Sequence, residues 1–268
     1  MSKVQSPKSV HGRSPAKDQD SPAQKSDRGH RHPSTADFGP WTLDFGLSVS
    51  DLRKSFLSPS GERIEVLRGV SFLARPGETI AIVGASGAGK STLLHLIGGI
   101  EAPDHGNIKL GDFAVESASR AELARYRNGQ IGVVFQFHHL LPDLTAVENV
   151  CLPLLLGRHD RRKAMRSAHE ALDRLGLSSR AAHRITDLSG GEQQRIAVCR
   201  ALITSPLMVL ADEPTGNLDS LSGGLIESEL ISYAAFRPAI VIVATHNQDL
   251  ARRCDRVLTL EQGKIAAD

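Results

Sequence analysis

The eight residues Gly84-Ala85-Ser86-Gly87-Ala88-Gly89-Lys90-Ser91 constrain this chain more than any other stretch. They satisfy G-x-x-x-x-G-K-[ST], a pattern whose weight depends on its flanks. Before it runs Thr79-Ile80-Ala81-Ile82-Val83, short, apolar and largely β-branched, as a buried strand requires. After it comes Thr92-Leu93-Leu94-His95-Leu96-Ile97, which reads as a helix. A strand, a glycine turn and a helix in that order aim backbone N–H groups and the positive end of a helix dipole at one point. Such a point holds phosphate. Lys90 can reach the β- and γ-phosphates of a nucleotide, and the Ser91 hydroxyl can ligate Mg²⁺. The competing reading is a glycine-rich turn that binds nothing; two correct flanks count against it.

Three more apolar runs resemble the one before the loop: Ile131–Phe135, Leu207–Ala211 and Ala239–Ala244. Near-continuous runs of this kind suit a parallel sheet covered on both faces. Each is followed by residues of chemical interest: Gln136, Asp212 with Glu213, and His246. In an open parallel sheet, ligands bind beyond the carboxyl ends of the strands. The four strand ends should therefore converge on one crevice. Upstream, Leu47–Leu52 and Ile64–Phe72 read as strands of a separate antiparallel sheet. The fold class is α/β.

The paired acids after Leu207–Ala211 have complementary tasks open to them. Asp212 can hold a metal ion while Glu213 polarises an attacking water; an acidic turn before Pro214 is the plainer alternative. Leu188-Ser189-Gly190-Gly191-Glu192 opens a further helix, with Ser189 as N-cap and Glu192 three residues on. That capping box is ordinary helix chemistry, but two glycines at a helix start also expose backbone donors to an anion. Gln136 and His246 draw their interest from position alone.

Charge and composition narrow the field. The chain has 32 Lys and Arg against 30 Asp and Glu, a formal charge of +2. Residues 1–40 carry seven of those cations and four of the anions, so the remainder is near neutral and nucleic acid is not an expected partner. That same segment is polar and almost without apolar residues before Phe38, which predicts a disordered tail over 1–40 and a folded domain over 41–268. His11, His30 and His32 could bind metal weakly, though a solvated tail explains them. No apolar run reaches the roughly 18 residues of a membrane span, and no secretory signal is evident. Cys151, Cys199 and Cys254 are scattered, as buried reduced thiols would be.

Taken in order, these elements resemble the nucleotide-binding domain of ABC transporters over about residues 47–265. The resemblance implies a parallel core sheet, an antiparallel β subdomain and a helical signature subdomain. It makes 84–91 Walker A, Gln136 the Q-loop, 188–192 the signature and 207–213 Walker B. Asn217-Leu218-Asp219 becomes the D-loop and His246 the switch histidine. Phe56 falls where the family usually stacks an aromatic ring on adenine. The resemblance further implies ATP and Mg²⁺ as ligands, the metal held by Ser91, Gln136 and Asp212. Glu213 would be the general base and His246 the γ-phosphate sensor. Ser189, Gly190, Gly191 and Glu192 would clamp ATP from a second copy in a head-to-tail dimer.

The stretch Val134–Val150 with Pro153–Gly157, together with Arg180–Arg184, is very similar to the ATPase subunits of lipoprotein-releasing transporters. That implies separate membrane subunits of the LolC/LolE type and a peripheral place on the cytoplasmic face of the inner membrane. Exporters of the MacB type share the pattern but fuse it to membrane spans. Soluble, non-transport ABC ATPases usually carry two cassettes or a coiled-coil insertion. Two departures stand out: the polar N-terminus, and Gln193 where relatives commonly have Arg.

Overall fold

The computed structural model describes residues 46–216 and 218–266. The expected tail at 1–40 and Asn217 lie outside them. Chain order is β1 (Leu47–Leu57), β2 (Arg63–Ala74), β3 (Thr79–Val83), α1 (Lys90–Ile97), β4 (His105–Leu110), β5 (Phe113–Ala114), α2 (Arg120–Gly129) and β6 (Ile131–Val134). There follow α3 (Ala146–Leu156), α4 (Arg161–Arg174), α5 (Gly190–Leu202), β7 (Met208–Asp212), α6 (Ser220–Phe236), β8 (Ile240–Ala244), α7 (Gln248–Arg253), β9 (Arg256–Glu261) and β10 (Lys264–Ile265).

Two sheets form. One is antiparallel, in the order β2-β1-β4-β5; the other runs β10-β9-β3-β8-β7-β6 and is parallel except for its β10 edge. All four expected parallel strands are present, their ends shifted by one residue at most. A fifth, β9, was not expected. Its pattern Arg256-Val-Leu-Thr-Leu-Glu mixes polar and apolar residues because only Leu258 and Leu260 are buried.

The central strands are buried on both faces, and alternate residues enter two different cores. Val209, Ala211, Val241 and Val243 pack with the helices α3 to α6. Met208, Leu210, Ile240 and Ile242 pack with α1 and the antiparallel sheet. Each Val, Leu, Ile or Met among them contributes about 1.5–3 kcal/mol on burial, which explains why bulky aliphatic runs occupy these strands. Cys151 and Cys199 are free and buried, and burial pushes the Cys199 thiol up to about 12.

Register fixes where the functional residues emerge. Ile82 and Asp212 both pair with Ala244, and Val134 pairs with Ala211. The carboxyl ends of β3, β8, β7 and β6 are therefore level and neighbouring. Gly84, His246, Glu213 and Gln136 leave the sheet along one edge.

Candidate nucleotide site

The loop between β3 and α1 is shaped by glycines. Gly84 has φ 153°, and a Cβ there would lie 2.3 Å from the Leu260 carbonyl oxygen of β9. Gly89 has φ 102°, and its Cβ would meet Leu67 and Val66 of β2. Ala85, Ser86 and Gly87 are exposed at the crest, whereas Lys90 is buried. The Lys90 ammonium donates to the carbonyls of Gly84 (2.8 Å) and Ala85 (3.1 Å), so it is held inside the loop. Ser91 is exposed and Thr92 half-buried on the first turn of α1.

The start of α1 differs from every other α-helix start among the described residues. Six of the seven are capped by a side chain: Ser119, Thr145, Asp160, Ser189, Asp219 and Asn247. Gly89 supplies no side-chain cap to α1, and its first turn has no acidic residue. The orphan N–H groups of that turn are left for something else. With Lys90 beside them, they fit a phosphate.

On the neighbouring strand ends, Asp212 closes β7 and Glu213 follows in the left-handed region, at φ 45°. That backbone is uncommon for a residue other than glycine and marks strain held by its surroundings. The bond from Glu213 N–H to the Ala244 carbonyl (2.8 Å) helps to hold it. The Glu213 carboxylate, mostly shielded, then accepts two bonds from the end of β8, from Thr245 Oγ1 at 3.3 Å and from the His246 N–H at 3.3 Å. His246 Nδ1 lies 2.9 Å from its other oxygen. A carboxylate so oriented can take a proton from water, and the imidazole lies exposed beyond it.

The helix α5 begins as its capping box predicts. Ser189 Oγ accepts from the Glu192 N–H (3.3 Å), and Glu192 Oε2 accepts from the Ser189 N–H (2.9 Å). Arg180 donates to the other Glu192 oxygen at 2.8 Å, and that bond, with the one from Ser189, lowers the Glu192 carboxyl to about 2. Gly190 has open space where a Cβ would be, while Gly191 faces Ser222 of α6. Gln193 donates to the carbonyls of Ile185 and Leu188, so it binds the preceding turn.

Gln136 is exposed after β6. Phe56 sits on β1, part-exposed, with the Lys54 ammonium 5.1 Å from its ring centroid. Of the expected site residues, Gly84–Thr92, Gln136, Asp212, Glu213 and His246 thus share one edge of the sheet. Ser189–Glu192 cap a helix in the other core.

A family model described as "ABC transporter" matches residues 67–216, more than half of the chain. The chain belongs to the ABC transporter family. Among curated ABC proteins it is 46% identical over 223 residues to the lipoprotein-releasing system ATP-binding protein LolD of Geobacter metallireducens, covering 83% of this chain and 98% of that one. With LolD of Myxococcus xanthus it shares 47% identity over 220 residues, 82% of this chain and 98% of the relative. Its fold matches the ATP-binding cassette MJ0796, solved as a dimer in a post-hydrolysis state with ADP and Pi, at a TM-score of 0.78. That match is 35% identical and covers 82% of this chain and 97% of the other.

Three residues of this ABC cassette escaped the sequence reading. Thr245, buried at the end of β8, grips Glu213 and also accepts from the Asn247 N–H (3.0 Å). Gln194 and Arg200 of α5 reach the segment after Gln136. For Gln194 the available signal was a polar residue on the buried side of α5, and it named no partner.

Proposed function

We propose that this chain is the ATP-hydrolysing subunit of a lipoprotein-releasing transporter, working on separate membrane subunits of the LolC/LolE type. The observation that carries hydrolysis is the Glu213–His246 contact of 2.9 Å, one strand away from the phosphate loop. Near-full-length likeness to LolD proteins supports the cargo class and the membrane partners.

In this reading the amides of Gly84–Thr92 and the Lys90 ammonium hold the phosphates of ATP, and Phe56 stacks on adenine. Ser91, Gln136 and Asp212 would hold Mg²⁺, which neutralises phosphate charge when bound; a hydroxyl, an amide oxygen and a carboxylate are suitable oxygen donors for that hard cation. Glu213 accepts the proton of the attacking water, and His246 lies where it can report the γ-phosphate. Each motif occurs once per chain, so ATP is closed between the loop of one copy and Ser189, Gly190, Gly191 and Glu192 of another. Residues 41–268 are the cassette. No helix among the described residues is long and apolar enough to cross a membrane. A peripheral place on the cytoplasmic face of the inner membrane follows from the partners.

Depleting the chain in its host should leave outer-membrane lipoproteins in the inner membrane, and wild-type chain should restore them while Glu213→Gln does not. A normal lipoprotein distribution in depleted cells would reject the cargo while leaving ATP hydrolysis standing.

A further inference from the structure

Gln194 is 2% exposed, yet its amide touches three parts of the site. Its Nε2 donates to the carbonyl of Phe135, just before Gln136, at 3.4 Å. The same nitrogen donates to the carbonyl of Pro214, just after Glu213, at 3.0 Å. Its Oε1 lies 2.5 Å from His138 Nδ1. One side chain on the signature helix thus spans the backbone beside the proposed metal-binding glutamine and the backbone beside the proposed base.

The donors and acceptors fix the chemistry of this link. Turning the amide over would aim its oxygen at two carbonyl oxygens, so Nε2 must face them and Oε1 must face the histidine. An amide oxygen only accepts; His138 must therefore carry a hydrogen on Nδ1. Six residues further along α5, Arg200 donates to the carbonyls of His139 (2.7 Å) and His138 (2.8 Å). Buried Asn149 of α3 binds the Leu141 N–H (2.8 Å) and the Leu141 carbonyl (3.0 Å). The segment after Gln136 is consequently strapped to α5 and α3, with Phe137 left 74% exposed on it.

We infer that Gln194 and His138 are positioning residues, a latch that holds Gln136 and Glu213 in register with the signature helix and sets the rate of hydrolysis, not nucleotide affinity. This inference rests on the reading of the chain as an ATPase. Neither side chain is placed on the nucleotide, so its binding by the phosphate loop and Phe56 does not draw on them, while a misplaced site slows the chemical step.

The test uses purified full-length chain. Gln194→Met, similar in size but without donors or acceptor, should lower kcat about tenfold with ATP Kd held within about twofold, a modest share of what misalignment can cost. His138→Leu should do the same. In His138→Asn the side-chain amide can donate in place of Nδ1–H, and most of the rate should return. ¹⁵N-histidine spectra of the wild-type chain, with the His138 signal identified by its loss in His138→Asn, should show the Nδ1–H form. Thermal melts identify any variant that has merely unfolded, and the tautomer reading and the Leu-to-Asn recovery stand independently of Gln194→Met. Wild-type turnover in both Gln194→Met and His138→Leu would overturn the latch, as would an Nε2–H tautomer or equal losses in kcat and affinity. A wild-type chain that hydrolyses no ATP would instead remove the reading beneath it.

Discussion

Among the described residues, α1 has glycine as its N-cap and α5 has glycine as its first residue, and both lie in proposed nucleotide motifs, but they are finished differently. The α1 helix starts at Gly89 with no side-chain cap and no acidic residue in its first turn. The α5 helix starts at Ser189 with a complete capping box, and its Glu192 is further bound by Arg180. An uncapped helix end carries unsatisfied N–H groups and a positive partial charge, both of which a phosphate can satisfy. At α5 part of that capacity is used within the chain, because Ser189 Oγ takes the Glu192 N–H and the Glu192 carboxylate lies at the helix start. What α5 still offers is the Ser189 hydroxyl and the backbone at Gly190 and Gly191, a smaller set suited to completing a site held elsewhere. Under the proposed reading, the contrast gives a physical reason for one strong half-site and one weak one in the same chain.

The sharpest way to separate the two ends is to stop the chemistry without touching either. Glu213→Gln should reduce phosphate release in single turnover by about a hundredfold or more while ATP affinity stays near wild type, as loss of a general base requires. Undiminished release would remove Glu213 from that role. Next in size, Lys90→Ala should weaken ATP binding by about tenfold to a hundredfold in calorimetry, the range of one or two charge-assisted hydrogen bonds. Ser189→Arg should leave binding to the monomer unchanged and abolish ATP-dependent dimers in light scattering. If Ser189→Arg weakened monomer binding as much as Lys90→Ala, the distinction between the two helix starts would fail.

Smaller effects probe the capping box directly. Ser189→Ala should lower stability by about 1 kcal/mol in denaturant melts, the usual contribution of an N-cap, without changing monomer affinity for ATP. Glu192→Gln adds a sign that can be checked. The folded-state carboxyl is lowered from 4.5 to about 2, so its stabilising effect is present above about pH 4.5 and is lost as pH falls towards 2. The gap in stability between wild type and Glu192→Gln should therefore be constant near neutrality and narrow on acidification. A gap that widens in acid would mean that the Arg180 and Ser189 contacts are not its source.

Much of the site was legible because its parts are contiguous. The loop 84–91, the box Ser189–Glu192 and the acid pair Asp212-Glu213 are each written within a few residues, and local backbone physics acts at that range. The four apolar strands were equally plain, since a strand buried on both faces has no room for polar residues. β9 was missed because one of its faces is less buried, which dilutes the pattern to a short polar–apolar mixture.

The sequence alone determined that a strand, a glycine turn and a helix would present Lys90 and free N–H groups to a phosphate. Helix dipoles and glycine dihedrals need no distant partner. Only the tertiary structure decided that Glu213 would be seized by Thr245 and His246, or that Gln194 would reach His138 across 56 positions of chain. Those contacts depend on strand order, with β8 inserted between β3 and β7, and on how α5 packs beneath β6. Spacing along the chain carries no trace of either. The same holds for the phosphate loop itself: its glycines announce a turn, but the carbonyl of Leu260 that forbids any other residue at Gly84 arrives from a strand more than 170 residues later.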